Sequence, residues 1–164
     1  MQKLYTLGGR KFVVMSINPL GCSPWIQASR PTHQGCRQDL NLAARLFNSR
    51  LRRLVDKAKS QLPNSNFVFV NSYGIMRKII THPTSKGFSD ARSACYEVAT
   101  INEGGNGILC KKDGRTCANR GIHVFFDGLH PTEAVNVILA NKAFASNLTA
   151  EVYPISIHHL ALLI

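Results

Sequence analysis

The sequence contains no long hydrophobic run. None approaches the ~18 consecutive apolar residues of a membrane-spanning helix; the best candidates are Phe67-Val68-Phe69-Val70 and Leu160-Ala161-Leu162-Leu163-Ile164. The opening stretch Met1–Arg10 meets a charge after one apolar step, so no secretory leader is expected within it. Acidic side chains are scarce. Nine Asp+Glu stand against 20 Lys+Arg in 164 residues, a formal charge of +11. Charged residues make up only 18%, below the roughly 25% of an average globular domain. This balance excludes an acidic disordered tail and a coiled coil, and the 12 glycines exclude a collagen-like repeat. No CxxC pair occurs, which argues against a zinc ribbon.

What is present suits one folded domain, since apolar residues reach 45% and about 150 residues make a domain. A chain of that size hides some 70% of its surface on folding. The five cysteines, Cys22, Cys36, Cys95, Cys110 and Cys117, are dispersed in the manner of disulfide partners, and their odd number leaves at least one thiol unpaired within the chain. Asn147-Leu148-Thr149 is an N-glycosylation sequon, weak support for a secretory origin.

Three continuous apolar segments rich in β-branched and aromatic residues read as strands covered on both faces. They are Phe12–Ile17, Phe67–Val70 and His123–Phe126. Helical patterns separate them. From about Gln38 to Gln61, Leu40, Ala43, Phe47, Leu51, Leu54 and Ala58 recur at steps of three and four, predicting one core-facing stripe. A shorter helix is expected over Tyr73–Thr81, ending before Pro83. Residues 82–121 have weak periodicity and three of the cysteines, and read as an irregular, disulfide-tied excursion. The last helix is expected to start at Pro131 and to run to about Leu148, with Ala134, Val137, Ile138 and Phe144 on one side. Pro154 begins a final segment. The order β-α-β-α-loop-β-α predicts an α/β fold, part of a three-layer doubly wound domain with a short parallel sheet flanked by helices. Three parallel strands are few, so further strands are expected in the loops or in a larger fold.

The sharpest chemical feature is Phe125-Phe126-Asp127-Gly128-Leu129-His130-Pro131-Thr132. It sets Asp127 at the carboxyl end of a strand, where catalytic groups of open α/β sheets gather. An Asp three residues before a His can accept its Nδ1–H, leaving Nε2 as a base toward a hydroxyl. The alternative is a turn whose polar residues cap a helix. Asp127, His130 and Glu133 also fall at three-residue steps. Glu133 better suits the first turn of a helix, and no second His sits at ligand spacing, so no metal is expected. Gly104-Gly105-Asn106-Gly107 lacks the Lys-Ser/Thr of a phosphate-binding loop. The basic groups Arg50-Leu51-Arg52-Arg53 with Lys57 and Lys59, and Lys111-Lys112 with Arg115 and Arg120, lack interleaved aromatics and any nucleic-acid motif. They read as solvated faces rather than a nucleic-acid interface. His158-His159 read as surface residues.

The segment Asp127–Ala134 resembles the last conserved block of plant GDSL-type esterase/lipases, members of the SGNH hydrolase superfamily. Leu7–Val14 with Pro19-Leu20-Gly21-Cys22-Ser23-Pro24, then Leu40-Asn41 through Phe47-Asn48 and Leu51, are similar to that family in order. So are Gly87-Phe88, Ala94-Cys95-Tyr96-Glu97, Tyr153-Pro154-Ile155 and Leu160-Ala161. The resemblance covers nearly the whole chain and implies a carboxylic ester hydrolase without cofactor, acting on ester or lipid-like substrates and secreted. It assigns Asp127 and His130 to a Ser-His-Asp triad. The family's Gly-Asp-Ser block and its oxyanion-hole blocks are absent here, so the chain corresponds to the C-terminal half, with little or no activity expected from it alone. A truncated remnant or interaction module is the alternative, with self-association through an exposed sheet edge. Ser89, in Gly87-Phe88-Ser89-Asp90-Ala91, imitates a nucleophile elbow but follows no predicted strand; Ser23 and Ser72 have less support. Tyr96 stands where the family usually has the second of two adjacent cysteines. Cys22 with Cys36 is the expected bridge, and the pairing of Cys95, Cys110 and Cys117 stays open.

Overall fold

A computed structural model describes residues 1–29 and 35–163. The strands are β1 (Lys11–Met15), β2 (Asn66–Val70), β3 (Asp90–Ala94), β4 (His123–Phe125) and β5 (Val152–Tyr153). The helices are α1 (Gln2–Thr6), α2 (Pro24–Ser29), α3 (Gln38–Gln61), α4 (Ser72–Thr81), α5 (Glu133–Ala145) and α6 (Ile157–Leu162).

β2 organises the core. Successive side chains of a strand point to opposite faces, and here both faces are covered. Phe67 and Phe69 pack with Val55, Ala58 and Leu62 of α3's end. Val68 and Val70 pack with Ile75, Met76 and Ile79 of α4 and with Val135 and Leu139 of α5. This two-sided burial is why the strand reads as an unbroken apolar run. β1 pairs with β2 in parallel, with Phe12 opposite Phe67 and their rings stacked at 4.8 Å. β5 flanks β2 on the other side, antiparallel.

The α/β class and the β1, β2 and β4 segments match expectation, but the sheet differs. β4 does not extend the β1–β2 sheet; it pairs in parallel with β3, Asp90 opposite His123 and Ala94 opposite Phe125. β3 lies inside the 82–121 excursion. Its sequence, Asp-Ala-Arg-Ser-Ala, carries no β-branched or aromatic residue, so only its partner makes it a strand.

Two helices bury their expected stripes only in part: in α3 Ala58 is core and Leu51 packs against it, and in α5 Ala134 and Ile138 pack against the core. α3 buries Asn41, Ala44, Asn48, Val55 and Ala58, while Ala43, Phe47 and Leu54 are exposed. The asparagines win those positions because they hold backbone. Asn48 accepts the Ile17 N–H and donates to the Ile17 carbonyl, both at 2.9 Å, and Asn41 accepts the Gly21 N–H at 2.9 Å. α5 buries Val135, Leu139 and Ala143 and exposes Val137 and Phe144. It starts at Glu133, not Pro131, because residues 130–132 run back along the end of β4. The Phe126 N–H bonds the His130 carbonyl at 2.8 Å, and the Thr132 N–H bonds the Val124 carbonyl at 3.0 Å.

Cys22 bonds Cys36, as the resemblance implies, and Cys95 bonds Cys117. Cys110 is the free thiol among the described residues. Among them, no helix is long and apolar enough to cross a membrane.

Candidate active site

The site is built on the turn that leaves β4. Asp127 sits beyond the carboxyl end of the strand, and its Oδ1 accepts the backbone N–H of Leu129 at 2.8 Å and of His130 at 2.7 Å. An aspartate that bonds the backbone two and three residues on is a common turn-former. Here the turn fixes the carboxylate so that Oδ2 meets His130 Nδ1 at 2.8 Å. Both atoms of the pair therefore follow from one short local motif.

The turn is anchored from outside by backbone. The Gly128 N–H donates to the Ile108 carbonyl at 2.8 Å, and its own carbonyl accepts the Trp25 N–H at 2.9 Å. A Cβ at Gly128 would lie 2.2 Å from the Gly107 carbonyl oxygen, so only glycine fits between these segments. The Tyr96 N–H donates to the Phe126 carbonyl at 2.7 Å, and the Phe126 and Tyr96 rings meet at 5.8 Å.

Exposure divides the pair. The Asp127 side chain is 7% exposed and that of His130 58%. The acid is dry, where a charge-assisted bond is stronger, while the ring reaches the surface. Among the described residues, the ring's hydrogen bonding comes from Asp127 alone. With Nδ1–H given to the carboxylate, Nε2 is left as an acceptor facing outward.

Asp127 and His130 are thus brought together as expected. Glu133 lies at the exposed start of α5, and no group of three or more His, Cys, Asp or Glu side chains able to hold a metal ion occurs among the described residues. Ser89 lies at the wrong edge. β3 and β4 run parallel from Asp90 and His123, so Ser89 is at their amino end and Asp127 past their carboxyl end. Ser89 instead lines a polar cleft with Arg77, Asp90 and Arg92. The Ser23 hydroxyl is committed to the Leu20 carbonyl at 2.8 Å, and Ser72 is buried against Ser16. Lys111, expected in a solvated basic patch, pairs with Glu103 at 2.6 Å and Glu97 at 3.2 Å; its bond to Glu103, with those from the Thr100 N–H and hydroxyl, holds the Glu103 carboxyl down to about 2. Arg52 and Lys59 lie over the Tyr153 ring at 4.1 and 5.5 Å.

Trp25, Gly107 and Ile108 support the turn without any local signal in the sequence. The glycines around Asn106 mark a loop, but nothing in them points to Asp127. Cys110 belongs to the same neighbourhood: partial desolvation, then the Asp127 charge, pushes its thiol up.

A dry carboxylate that fixes an exposed imidazole past a strand's carboxyl end leaves the ring's outer nitrogen able to exchange a proton, at the edge of the sheet where open α/β folds place their ligands. A model of the GDSL-like lipase/acylhydrolase family matches residues 1–143, and the chain belongs to that family. One GDSL esterase/lipase of Arabidopsis thaliana is 36% identical over 161 residues, 98% of this chain and 44% of that protein. Another is 38% identical over 163 residues, covering 97% of this chain and 41% of its own length, and GDSL esterase/lipase 7 of the same plant is 34% identical over 164 residues. The chain therefore spans less than half the length of these relatives.

Proposed function

We propose that residues 1–164 form the C-terminal portion of a serine ester hydrolase domain acting on lipid-like carboxylic esters, with 82–121 as its cysteine-containing excursion. The carrying observation is the 2.8 Å contact between Asp127 Oδ2 and His130 Nδ1. In this reading His130 Nε2 removes the proton of an attacking serine hydroxyl and returns it to the leaving alcohol, while Asp127 fixes the tautomer and stabilises the imidazolium. The family's Gly-Asp-Ser block, with its nucleophile, does not occur in these residues. Removal of one oxyanion donor alone costs roughly 10²–10³ in rate, so this chain by itself turns over little or no ester. Two disulfides support a secreted, oxidising location.

The test is to incubate the chain with a short aryl ester and a serine-directed fluorophosphonate. Background turnover and no labelled serine are expected. Turnover that labels one serine and is lost in His130→Ala overturns the incompleteness.

A second reading rests on β1. Among the described residues it pairs with β2 alone, and Val13 and Met15 are 43% and 50% exposed beside its open edge. Such an edge supports self-association of the chain.

A further inference from the structure

The polar cleft at the amino end of β3 holds a cation without a counter-ion. The cleft measures about 670 Å³ and is walled by α2, α4, β3 and the start of α3. Volumes of roughly 300–1,000 Å³ are typical of ligand sites. Arg77 of α4 lies in it half-buried. Its side chain donates from Nη1 to the Cys22 sulfur at 3.6 Å, a weak acceptor. No carboxylate pairs with Arg77 among the described residues. A guanidinium drawn partly out of water without an anion is costly, and most of its five N–H donors are unspent.

The other polar groups divide into used and unused atoms. Asp90 turns inward on its own strand: its Oδ1 accepts the N–H of Arg92 and of Ser93, both at 2.8 Å, and its Oδ2 lies 3.8 Å from His123 Nδ1. The Arg92 guanidinium stands exposed at the rim. Gln27 Nε2 donates to the Cys22 carbonyl at 2.7 Å, and Gln38 Nε2 to the Cys36 carbonyl at 3.2 Å. Both amide oxygens, and the Ser89 hydroxyl, have no partner among the described residues. The cleft thus offers cationic donors for an anion and neutral acceptors for hydroxyl groups. Two arginines against one aspartate leave its described lining with a single positive charge. One carboxylate balances that charge, whereas a phosphate dianion overshoots it.

We propose that this cleft binds a sugar carboxylate, a uronate. Its carboxylate sits on the Arg77 fork with Arg92 adding charge at the rim, and its ring hydroxyls donate to the Gln27 and Gln38 amide oxygens. A guanidinium matches a carboxylate through two parallel N–H bonds. The cleft lies at the opposite end of the β3–β4 pair from Asp127, so this role stands apart from the hydrolase reading.

The test follows the side-chain N–H signals of Arg77 and Arg92 by NMR. Sodium glucuronate should shift them saturably, in the millimolar range of a single sugar. Three controls separate the parts of the ligand. Glucose lacks the carboxylate, acetate lacks the hydroxyls, and glucose 6-phosphate carries a dianion instead. Each should bind at least about tenfold more weakly than glucuronate. Arg77→Gln should weaken glucuronate at least about tenfold as well. Arg92→Gln, at an exposed position that leaves packing intact, should weaken it by about threefold, and Gln27→Leu should bring glucuronate toward acetate. Absence of a saturable shift in the unmutated chain overturns the proposal. So does glucose or acetate binding as tightly as glucuronate, or a folded Arg77→Gln chain that binds unchanged. Tighter binding of glucose 6-phosphate overturns it too, by giving the cleft to a phosphate ester.

Discussion

Gly128 carries a constraint that its neighbours in the turn do not. Its two backbone bonds tie the dyad to Ile108 and Trp25, and the 2.2 Å approach of the Gly107 oxygen leaves no room for a methyl group. Gly128→Ala must push one backbone off another. It should lower stability by about 2–3 kcal/mol, read as a drop in the urea midpoint, and should loosen His130. An unchanged midpoint would show that the 107–128 contact does not exist in solution. At this scale the site was half legible. Asp127 and His130 lie three apart, and a local turn decides their geometry, so the sequence carries it. Trp25 and Ile108 reach the turn across long stretches of chain, through backbone atoms that every residue possesses, and no side-chain pattern announces them.

Elements are joined by one buried acid. Glu151, just before β5, is almost fully buried and accepts from Lys142 of α5 at 2.7 Å and from Ser146 at 2.9 Å, with Lys78 of α4 at 3.5 Å. Burial alone pushes its carboxyl up, but the Lys142 and Ser146 bonds and the two lysine charges outweigh it and hold the group below its ordinary 4.5. A carboxylate depressed on folding stabilises above its unfolded pKa, and that stability is lost as pH falls through the folded value. Stability of the chain should therefore decline as pH drops below about 4.5, and Glu151→Gln should flatten that decline. Lys142→Ala, which leaves the acid underpaired, should cost about 2 kcal/mol at neutral pH. A Glu151→Gln profile parallel to the parent would contradict the assignment. The open edge of β1 makes a separate prediction: the chain should associate as its concentration rises, and Val13→Lys should shift it toward monomer by sedimentation. A monomer at every concentration would reject the edge as an interface. Elements were legible where one property set them. The 3.6-residue period located α3 from Gln38 to Gln61 and put Leu51 and Ala58 on the core, yet it missed Asn41 and Asn48, which are chosen for backbone bonds, not hydropathy. β3 was hidden because pairing, not propensity, makes it.

For the whole molecule, two disulfides tie the loops that position the site: Cys22–Cys36 closes the segment leading into α3, and Cys95–Cys117 closes the excursion behind the dyad turn. Bridges across loops of this size stabilise by about 3 kcal/mol each in the chain-entropy account. The α/β class followed from alternating strand and helix signals, while the division into two small sheets did not. Which strands pair depends on neighbours, and β4 finds its partner in β3, a strand of the 82–121 loop, where a further strand was expected but no segment for it could be named.

The central claim is that Asp127 holds His130 with its Nε2 free to act as a base, and nitrogen NMR of the neutral imidazole tests it most directly. In the parent chain the proton should reside on Nδ1, and in Asp127→Asn, where an amide N–H faces the ring, it should move to Nε2. A parent ring carrying its proton on Nε2, or a tautomer indifferent to the substitution, would contradict the account.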